Sequence, residues 1–393
     1  MNLPWPTKKL GEICRIQTGK KDVNEGNPCG KYPFFTCSRE KTYSDTYSFD
    51  TEAILVAGNG DVGNTHIYKG KFEAYQRTYV LDGFKEDIKF IYYFLIGNLK
   101  RVLGKSKSGS TMPYIRKGDL ENLQIPLPPL PIQQKIVSIL DTIQSAIEVQ
   151  EKMVEKTKEL KKSMMADLFK YGAPSFRKGR KLKKTEIGEI PENWDVVRLG
   201  EVVEKIQYGI SKKGQREGEY PILRMNNLME GQINTQDLQF VDLTKDEFDK
   251  FKLIKGDIIF NRTNSIELVG KTALFDLERD FVFASYLLRI RVNILKLLPQ
   301  FLNWYFNWGK SQERLKKLAS RGASQVNISA TRLRTFQIPL PSLPEQREIA
   351  EILQTIDQKI EIEKKKKELY EELFKTMLNK IMNQEIDVEK IKI

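Results

Sequence analysis

Histidine and cysteine are the residue types of which this 393-residue sequence has least. It contains one histidine, His66, and three cysteines, Cys14, Cys29 and Cys37, whose spacing matches no metal-binding motif. A histidine-based nucleophile relay or a transition-metal centre is therefore not expected, and we interpret the cysteines as reduced thiols. The sequence predicts no catalytic site, no metal site and no cofactor bound by this chain.

Long apolar runs are also missing. No stretch approaches the roughly 18 consecutive apolar residues that a membrane span requires. The N-terminal segment MNLPWPTKKLGEI lacks the apolar centre of a signal peptide. We therefore expect a cytoplasmic protein with no membrane segment.

Positive charge is present in excess. The chain has 65 lysines and arginines against 52 acidic residues, which gives a formal net charge of +13. A surplus of this size favours a polyanionic partner, for which nucleic acid is the first candidate, although a solvated lysine-rich surface is an alternative. The length allows two domains and additional helices.

The sequence contains one pattern twice. Residues 125–148, IPLPPLPIQQKIVSILDTIQSAIE, align without a gap to residues 338–361, IPLPSLPEQREIAEILQTIDQKIE. More than half of the aligned positions are identical. The segments WPTKKLGEICRIQTG at Trp5 and WDVVRLGEVVEKIQYG at Trp194 also correspond, with one inserted residue. A tandem duplication is the simplest explanation.

Each copy begins with a segment in which strand and helix patterns are mixed. Apolar β-favouring runs bounded by turn residues predict strands, and aromatic-rich amphipathic runs predict helices. The predicted strands cover residues 53–58, 78–84, 257–262 and 286–292, and the predicted helices cover residues 90–103 and 301–315. We therefore expect an α/β (α+β) fold for each globular part.

Each copy ends with a long helix that has proline, Pro131 or Pro344, in or just before its first turn. Apolar residues then recur in alternating steps of four and three, as in the seam of a coiled coil. The seam residues are Ile136, Leu140, Ile143, Ile147, Val154, Ile349, Leu353, Ile356, Ile360 and Phe374. The duplication favours antiparallel pairing of the two helices about an approximate two-fold axis; the alternative is that each helix packs on its own domain.

Polar residues interrupt the seam near the middle of each helix, at Gln150, Thr157 and Lys161 and at Glu363 and Lys367. A polar seam position normally costs stability and fixes register or partner choice. We expect these residues to set the register of the helix pair.

Two glycine-containing segments resemble nucleotide-binding motifs. Gly58–Gly63 fits G-x-G-x-x-G, but β-favouring residues follow it where a dinucleotide-binding turn must open a helix. Gly270-Lys271-Thr272 resembles the end of a P-loop, but Ser265 replaces the required first glycine. We predict ordinary glycine-rich loops at both places.

Polar side chains suited to DNA contact occur at matching places in both copies. Asn, Gln and Arg can bond base edges, whereas Lys, Ser and Thr hold phosphates. In copy one the candidates are Thr36, Ser38, Arg39, Asn59, Asn64, Lys105, Lys107, Ser110, Thr111 and Tyr114. In copy two they are Arg224, Asn226, Asn227, Arg262, Asn264, Arg321, Ser324, Gln325 and Asn327.

Over nearly its whole length the chain resembles the specificity subunit of a type I restriction-modification system. The resemblance is carried by IPLPPLPIQQKI and IPLPSLPEQREI, WDVVRLGEVV, YGAPSFRKGRKLKKTEIGEIPENW, YPILRMNN, KGDIIFNRTNSIELVGKTALF and RGASQVNIS. It implies two target recognition domains, each reading one part of a split DNA sequence, and two spacer helices in an antiparallel coiled coil. The corresponding segments of copy one, YPFFTCSR and GSTMPYIRKGDL, differ, so its contacts are less defined.

On this resemblance the chain divides into recognition domain 1 (1–130), a central spacer helix (131–172), a basic linker (173–190), recognition domain 2 (191–343) and a C-terminal spacer helix (344–393). Six of the eight residues from Arg177 to Lys184 are basic, which indicates a solvated linker or, alternatively, phosphate contacts.

The resemblance also implies double-stranded DNA and enzyme subunits as partners. Two adenine methyltransferase subunits would carry S-adenosylmethionine, and two restriction subunits would use ATP and Mg²⁺. The helices would dock the methyltransferase and set the distance between the half-sites. Alternatives left open are the specificity subunit of another multisubunit restriction system, a stand-alone DNA-binding regulator and a structural scaffold.

Overall fold

The computed structural model describes residues 5–38, 40, 42–103, 114–321 and 325–391; the side chains of residues 100–103 and 321 are outside this description. The chain forms two compact units. The first unit comprises Met1–Lys152 and Glu363–Ile393, and the second comprises Met153–Ile362. Each of the two long helices therefore contributes one half to each unit.

The helices are α1 (Leu10–Ile13), α2 (Ile88–Leu103), α3 (Lys117–Glu121), α4 (Leu130–Tyr171), α5 (Lys245–Phe251), α6 (Pro299–Asn307), α7 (Gly309–Lys317), α8 (Ala330–Arg334) and α9 (Leu343–Met382). No described helix has the length and apolar character needed to cross a membrane.

The strands of the first unit are β1 (Thr7–Lys9), β2 (Arg15–Thr18), β3 (Tyr32–Phe35), β4 (Thr42–Ser44), β5 (Phe49–Ala57), β6 (Thr65–Ala74), β7 (Thr78–Asp82) and β8 (Gln124–Pro126). Six of them form one sheet in the order β2-β7-β5-β6-β3-β4. Only β3 and β6 pair in parallel within it. The centre of β5 is buried on both faces from Ala53 to Ala57, because α2 and the long helices cover one face and aromatic side chains cover the other.

The strands of the second unit are β9 (Leu182–Thr185), β10 (Gly188–Pro191), β11 (Asp195–Arg198), β12 (Val203–Tyr208), β13 (Tyr220–Leu223), β14 (Leu228–Met229), β15 (Gln232–Ile233), β16 (Gln239–Val241), β17 (Ile258–Asn261), β18 (Thr263–Asn264), β19 (Thr272–Leu274), β20 (Val282–Phe283), β21 (Leu287–Val292), β22 (Ser320–Arg321), β23 (Val326–Asn327) and β24 (Gln337–Leu340).

The second unit repeats the topology of the first. Its main sheet has the order β12-β21-β17-β19, which matches β2-β7-β5-β6. Strand β13 pairs antiparallel with β16 and parallel with β20, as β3 does with β4 and β6. The pair β11-β24 likewise matches β1-β8. The predicted duplication of an α/β (α+β) domain is therefore confirmed.

A buried glutamine explains the repeated Pro-Leu-Pro-x-Leu-Pro-x-Gln pattern at the start of each long helix. Gln133 accepts a hydrogen bond from the Asp87 amide (3.1 Å) and donates to the Pro128 carbonyl (2.9 Å). Gln346 accepts from the Leu298 amide (2.8 Å) and donates to the Pro341 carbonyl (2.9 Å). Each glutamine thus joins the proline-rich turn to the residue just before α2 or α6.

Helices α4 and α9 pair antiparallel, as expected, and four of the five polar seam residues form side-chain bonds across the pair. In the first unit Gln150 bonds Glu363, and Lys367 bonds Glu151 (3.1 Å). In the second unit Lys161 bonds Asp357 (2.6 Å). The apolar seam residues Ile136, Leu140, Ile147, Val154, Ile349, Leu353 and Ile360 are buried, and Ile143, Ile356 and Phe374 are half-buried.

The single helix expected over residues 301–315 is wrong, because the chain breaks into α6 and α7 at Trp308. Trp308 has an extended backbone (φ −70°, ψ 136°). Its neighbour Asn307 donates to the Asn303 carbonyl (2.8 Å), and Gln312 donates to the Phe306 carbonyl (2.6 Å). These side chains satisfy backbone groups at the break, which local periodicity does not reveal.

The basic segment between the copies is ordered through its arginines. Arg177 bonds Asp167, and Arg180 bonds the buried Glu345. Beyond them the chain forms the β9-β10 hairpin. For these two arginines the interpretation as part of a solvated linker does not hold, since both guanidinium groups are engaged within the second unit.

Candidate nucleic-acid interface

The two glycine-containing segments form turns between strands. The Gly58–Gly63 segment joins the antiparallel neighbours β5 and β6, and Gly60 and Gly63 have positive φ angles of 60° and 76°. Gly270 leads into β19. Because no helix follows either turn, neither can present a helix N-terminus to a phosphate. Among the described residues, no group of three His, Cys, Asp or Glu side chains could hold a metal ion.

Four segments of the first unit converge at one end of its sheet; we call residues 36–38, 58–64, 75–77 and 114–116 the first loop cluster. The Gly58 amide donates to the Arg77 carbonyl (2.9 Å), and the Gly58 carbonyl accepts from the Ile115 amide (2.8 Å). The Asp61 amide donates to the Cys37 carbonyl (3.2 Å). These backbone bonds bring together predicted contact segments that are far apart in sequence.

The matching segments of the second unit converge in the same way; we call residues 224–227, 262–265, 284–286 and 325–329 the second loop cluster. The Arg262 amide donates to the Tyr286 carbonyl (3.1 Å), and the Arg262 carbonyl accepts from the Ile328 amide (2.9 Å). Arg262 thus has the bonding position that Gly58 has in the first unit. The two clusters share a backbone scaffold and carry different side chains.

Both scaffolds also require a glycine at the end of the first strand of the sheet. A Cβ atom on Gly19 would lie 1.9 Å from the Ala74 carbonyl oxygen, and one on Gly209 would lie 2.3 Å from that of Ala284. The close approach holds the segments 75–77 and 284–286 in place, and any side chain would push them away.

The first loop cluster exposes an aromatic and several polar groups. Tyr114 is 49% exposed, and the Arg116 guanidinium donates to its hydroxyl (2.7 Å). Below them, the Tyr79 hydroxyl donates to the Ile115 carbonyl (2.9 Å), and burial raises the pKa of Tyr79. Asn64 shares a hydrogen bond with His66 (3.1 Å). A buried tyrosine therefore anchors the segment that presents Tyr114 and Arg116.

The remaining described candidates of this cluster have lesser roles in its geometry. The Thr36 hydroxyl accepts from the Ser38 amide (3.2 Å), which closes a tight turn. Asn59 is half-buried in the β5-β6 turn. Arg39, Lys105, Lys107, Ser110 and Thr111 lie outside the described residues.

The second loop cluster is organised around Arg262. Its guanidinium carbon lies 4.9 Å from the centre of the Tyr208 ring, and Nη1 donates to the Ser285 carbonyl (3.4 Å). Its Nε is buried and has no hydrogen-bond partner in the described part of the chain. The ring contact and the bond to Ser285 hold the guanidinium group in place.

The second loop cluster also contains amide side chains, which bond residues other than Arg262. Asn226 donates to the Asp237 carboxylate (2.8 Å), to which Arg224 also donates (2.8 Å). Asn264 donates to the Met225 sulfur (3.1 Å). Gln325 is exposed.

Asn227 and Asn327 hold loops together in this structure. Asn227 is buried; it accepts from the Arg224 amide (2.9 Å) and donates to the Asn234 and Asp237 carbonyls. Asn327 donates to the Thr263 hydroxyl (3.2 Å). Ser324 and the Arg321 side chain lie outside the description.

Sequence reasoning missed Arg77, Arg116, Tyr208 and Tyr286. Arg77 and Tyr286 occupy matching places, since each gives its carbonyl to the residue that follows β5 or β17. Tyr208 and Tyr286 are 43% and 40% exposed. Arg77 and Tyr286 lie just before β7 and β21, and Tyr208 is the last residue of β12. The matching positions of Arg77 and Tyr286 are a signal that the alignment of the two copies could have supplied.

The chain has the features of a duplicated recognition protein. These are two copies of an α/β domain that carries exposed loops, two antiparallel long helices and a net charge of +13. Residues 2–161 and 191–372 match the family described as "Type I restriction modification DNA specificity domain". The chain belongs to this family, and its role is in DNA recognition.

Individual relatives agree with this assignment. The chain is 31% identical over 408 residues to the type I restriction enzyme MjaVIII specificity subunit of Methanocaldococcus jannaschii, covering 98% of this chain and 94% of that one. It is 29% identical over 370 residues to the EcoDI specificity subunit of Escherichia coli, covering 88% and 79%. The crystal structure of the S subunit from M. genitalium has a similar fold, with a TM-score of 0.58, 19% identity and 96% of each chain covered.

Proposed function

We propose that this chain is the non-catalytic DNA-reading subunit of a type I restriction-modification complex and that each loop cluster reads one part of a split target. The observation that carries the proposal is the shared scaffold around Gly58 and Arg262 with unlike exposed side chains. A common scaffold fixes where side chains are presented, and the differing side chains allow two different base sequences to be read.

Within each cluster, the base-reading role falls to side chains held at fixed positions on the scaffold. In the second cluster we assign it to Arg262, Asn226 and Gln325, with Arg224, Asn227, Asn264 and Asn327 positioning them. In the first cluster we assign it to Asn59, Asn64 and Arg116, with Tyr114 stacking on Arg116 at 5.4 Å. Thr36, Ser38, Lys105, Lys107, Ser110 and Thr111 would contact phosphates, as would Arg39, Arg321 and Ser324.

The long helices would dock two adenine methyltransferase subunits and set the gap between the half-sites. Large apolar side chains are exposed on both helices. A helix pair that binds no other protein would have charged or polar residues at such positions. In the first unit these are Val149, Leu369 and Leu373, and in the second they are Met153, Leu160 and Ile362. S-adenosylmethionine, and ATP with Mg²⁺ in two restriction subunits, would belong to the partners.

Mapping methylated bases tests the proposal. The chain would be co-expressed with its methyltransferase subunit, and the modified sequence determined for the wild type and for single variants. Arg262→Ala should relax one half-site and Arg116→Ala the other, each by about 1–3 kcal/mol of discrimination at the affected position. Lys245→Ala, an exposed cation on α5 outside both clusters, is the matched control.

The alternatives give other outcomes. A stand-alone regulator would bind its sequence without any methyltransferase, and helix substitutions such as Leu369→Glu would leave its function intact. If Arg262→Ala weakened binding equally on every DNA sequence, the side chain would contact only phosphate and the assignment of base reading would be wrong.

A further inference from the structure

A cavity of about 610 Å³ lies within the second unit beside α6 and α9. Apolar side chains, Ile233, Leu274 and Ile362, form part of its wall, and the acidic side chains Asp276, Asp357 and Glu361 form another part. The volume lies in the range of sites that enclose a ligand or an inserted side chain. We call this cavity the acidic pocket.

The carboxylate at the floor of the acidic pocket already has a cationic partner. Asp357 is buried and bonds Lys161 (2.6 Å), whose ammonium group lies 4.6 Å from the centre of the Trp304 ring. Burial raises the pKa of Asp357, and Glu230 and Glu361 raise it further, against the opposing effect of Lys161. The wall of the pocket thus carries three carboxylates, of which Asp357 bonds Lys161 and Asp276 lies 3.9 Å from Lys255.

At the matching place in the first unit, a lysine of the chain itself bonds the long helix. Lys89 bonds Asp141 of α4 (2.5 Å), and the Tyr93 hydroxyl donates to the same carboxylate (2.5 Å). In the alignment of the two copies, Gln300 corresponds to Lys89, and it lines the acidic pocket. Gln354, which also lines the pocket, corresponds to Asp141, so the second unit has two neutral side chains where the first unit has this ion pair.

We propose that the acidic pocket receives a lysine or arginine side chain of the methyltransferase subunit. The apolar wall suits the aliphatic stem of such a residue, and the carboxylates suit its charged head. The first unit has a lysine bonded to a carboxylate of its long helix, Lys89 to Asp141, three residues before the position that corresponds to Asp357. The inference rests on the proposed docking of the methyltransferase subunit. It adds that one side chain at the interface of that subunit carries a positive charge.

The test measures the affinity of the full chain for the isolated methyltransferase subunit by titration calorimetry at two salt concentrations. Asp276→Asn with Glu361→Gln removes two pocket carboxylates and should weaken binding about tenfold, with less dependence on salt. Gln300→Lys should also weaken binding, because it gives the second unit the lysine of the first and occupies the pocket.

The matched control is Asp246→Asn with Asp249→Asn, which makes the same change of net charge at two exposed positions of α5. It should leave the affinity unchanged. Melting curves of each variant, recorded before titration, identify any loss of folding. Retained folding with reduced affinity in both pocket variants supports the proposal.

Other results overturn it. If the wild-type chain binds and both pocket variants bind equally well, the pocket is not part of the interface, while the proposed function stands. If spermidine binds the wild type but not the double variant, and the methyltransferase affinity is unchanged, the pocket holds a small polycation instead. If the wild-type chain binds no methyltransferase subunit, the proposed function fails, and this inference fails with it.

Discussion

Glu345 is the buried acceptor that ties the segment before recognition domain 2 to the start of α9. It accepts hydrogen bonds from both terminal nitrogens of Arg180, from the Trp194 indole nitrogen (3.0 Å) and from the Ala173 amide (3.2 Å). Its side chain is 1% exposed and that of Arg180 is 10% exposed. In the alignment of the two copies, Ile132 corresponds to Glu345.

Glu345→Gln should strongly destabilise the second unit. The substitution keeps the shape of the side chain but turns one acceptor into a donor and leaves the Arg180 guanidinium buried without a counter-charge. Breaking one side of a buried ion pair costs about 3–5 kcal/mol. In a unit of this size, each kcal/mol of lost stability lowers the melting temperature by about 2–4 °C, so Glu345→Gln should lower it by roughly 6–20 °C.

Tryptophan fluorescence during thermal unfolding is the assay, because Trp194, Trp304 and Trp308 all belong to the second unit. Glu189→Gln, which removes the exposed partner of Lys170, is the control and should leave the transition in place. The double variant Glu345→Gln with Arg180→Gln should regain at least half of the lost stability, since no buried charge remains. A single variant that melts with the wild type, or a double variant no better than the single, would refute the reasoning.

Three further predictions follow from the fold. Gln133→Leu leaves the Asp87 amide and the Pro128 carbonyl without their partner. It should lower the free energy of unfolding of the first unit, measured by urea titration, by about 2 kcal/mol. Gln134→Leu, at the exposed neighbouring position, should have little effect. Burial raises the pKa of Cys14 to about 12. Because the thiolate is the reactive form, iodoacetamide at pH 8 should label the exposed Cys29 and should not label Cys14 until the protein is unfolded. Mass spectrometry measures the labelling of each cysteine. Inserting seven residues after Glu155 and after Glu363 adds one heptad, about 10.5 Å, to each helix. The gap between the methylated half-sites should then grow by about three base pairs, at 3.4 Å each. An unchanged gap would contradict the spacing role of the helices.

Local sequence patterns determined the elements that depend on near neighbours. The four-and-three steps of apolar residues specify the α4 and α9 seams, since their periodicity is a property of the helix itself. The alternation of strands and aromatic helices, seen twice, was enough for an α/β (α+β) fold in two copies. The internal alignment also identified the Gly58 and Arg262 regions as matching places before any contact was known.

Side-chain availability could not be judged from composition. Asn227 looks as suitable for a base edge as Asn226, yet it is buried and its amide is fully used within its own loop. Arg180 looks like a free basic residue, yet the carboxylate of Glu345, 165 residues further along the chain, holds it. Each assignment depends on a partner whose distance in sequence has no relation to its distance in space.

The sequence by itself determined that the chain is duplicated, that each copy ends in a seam-forming helix, and that the polar segments recur at matching places. Only the tertiary structure decided that four such segments meet around Gly58, that four others meet around Arg262, and that Gln300 faces a cavity where Lys89 faces a carboxylate. The physical reason is that helices and strands form from contacts between residues close in the chain. A binding surface forms from backbone bonds and packing between residues that only the folded chain brings together.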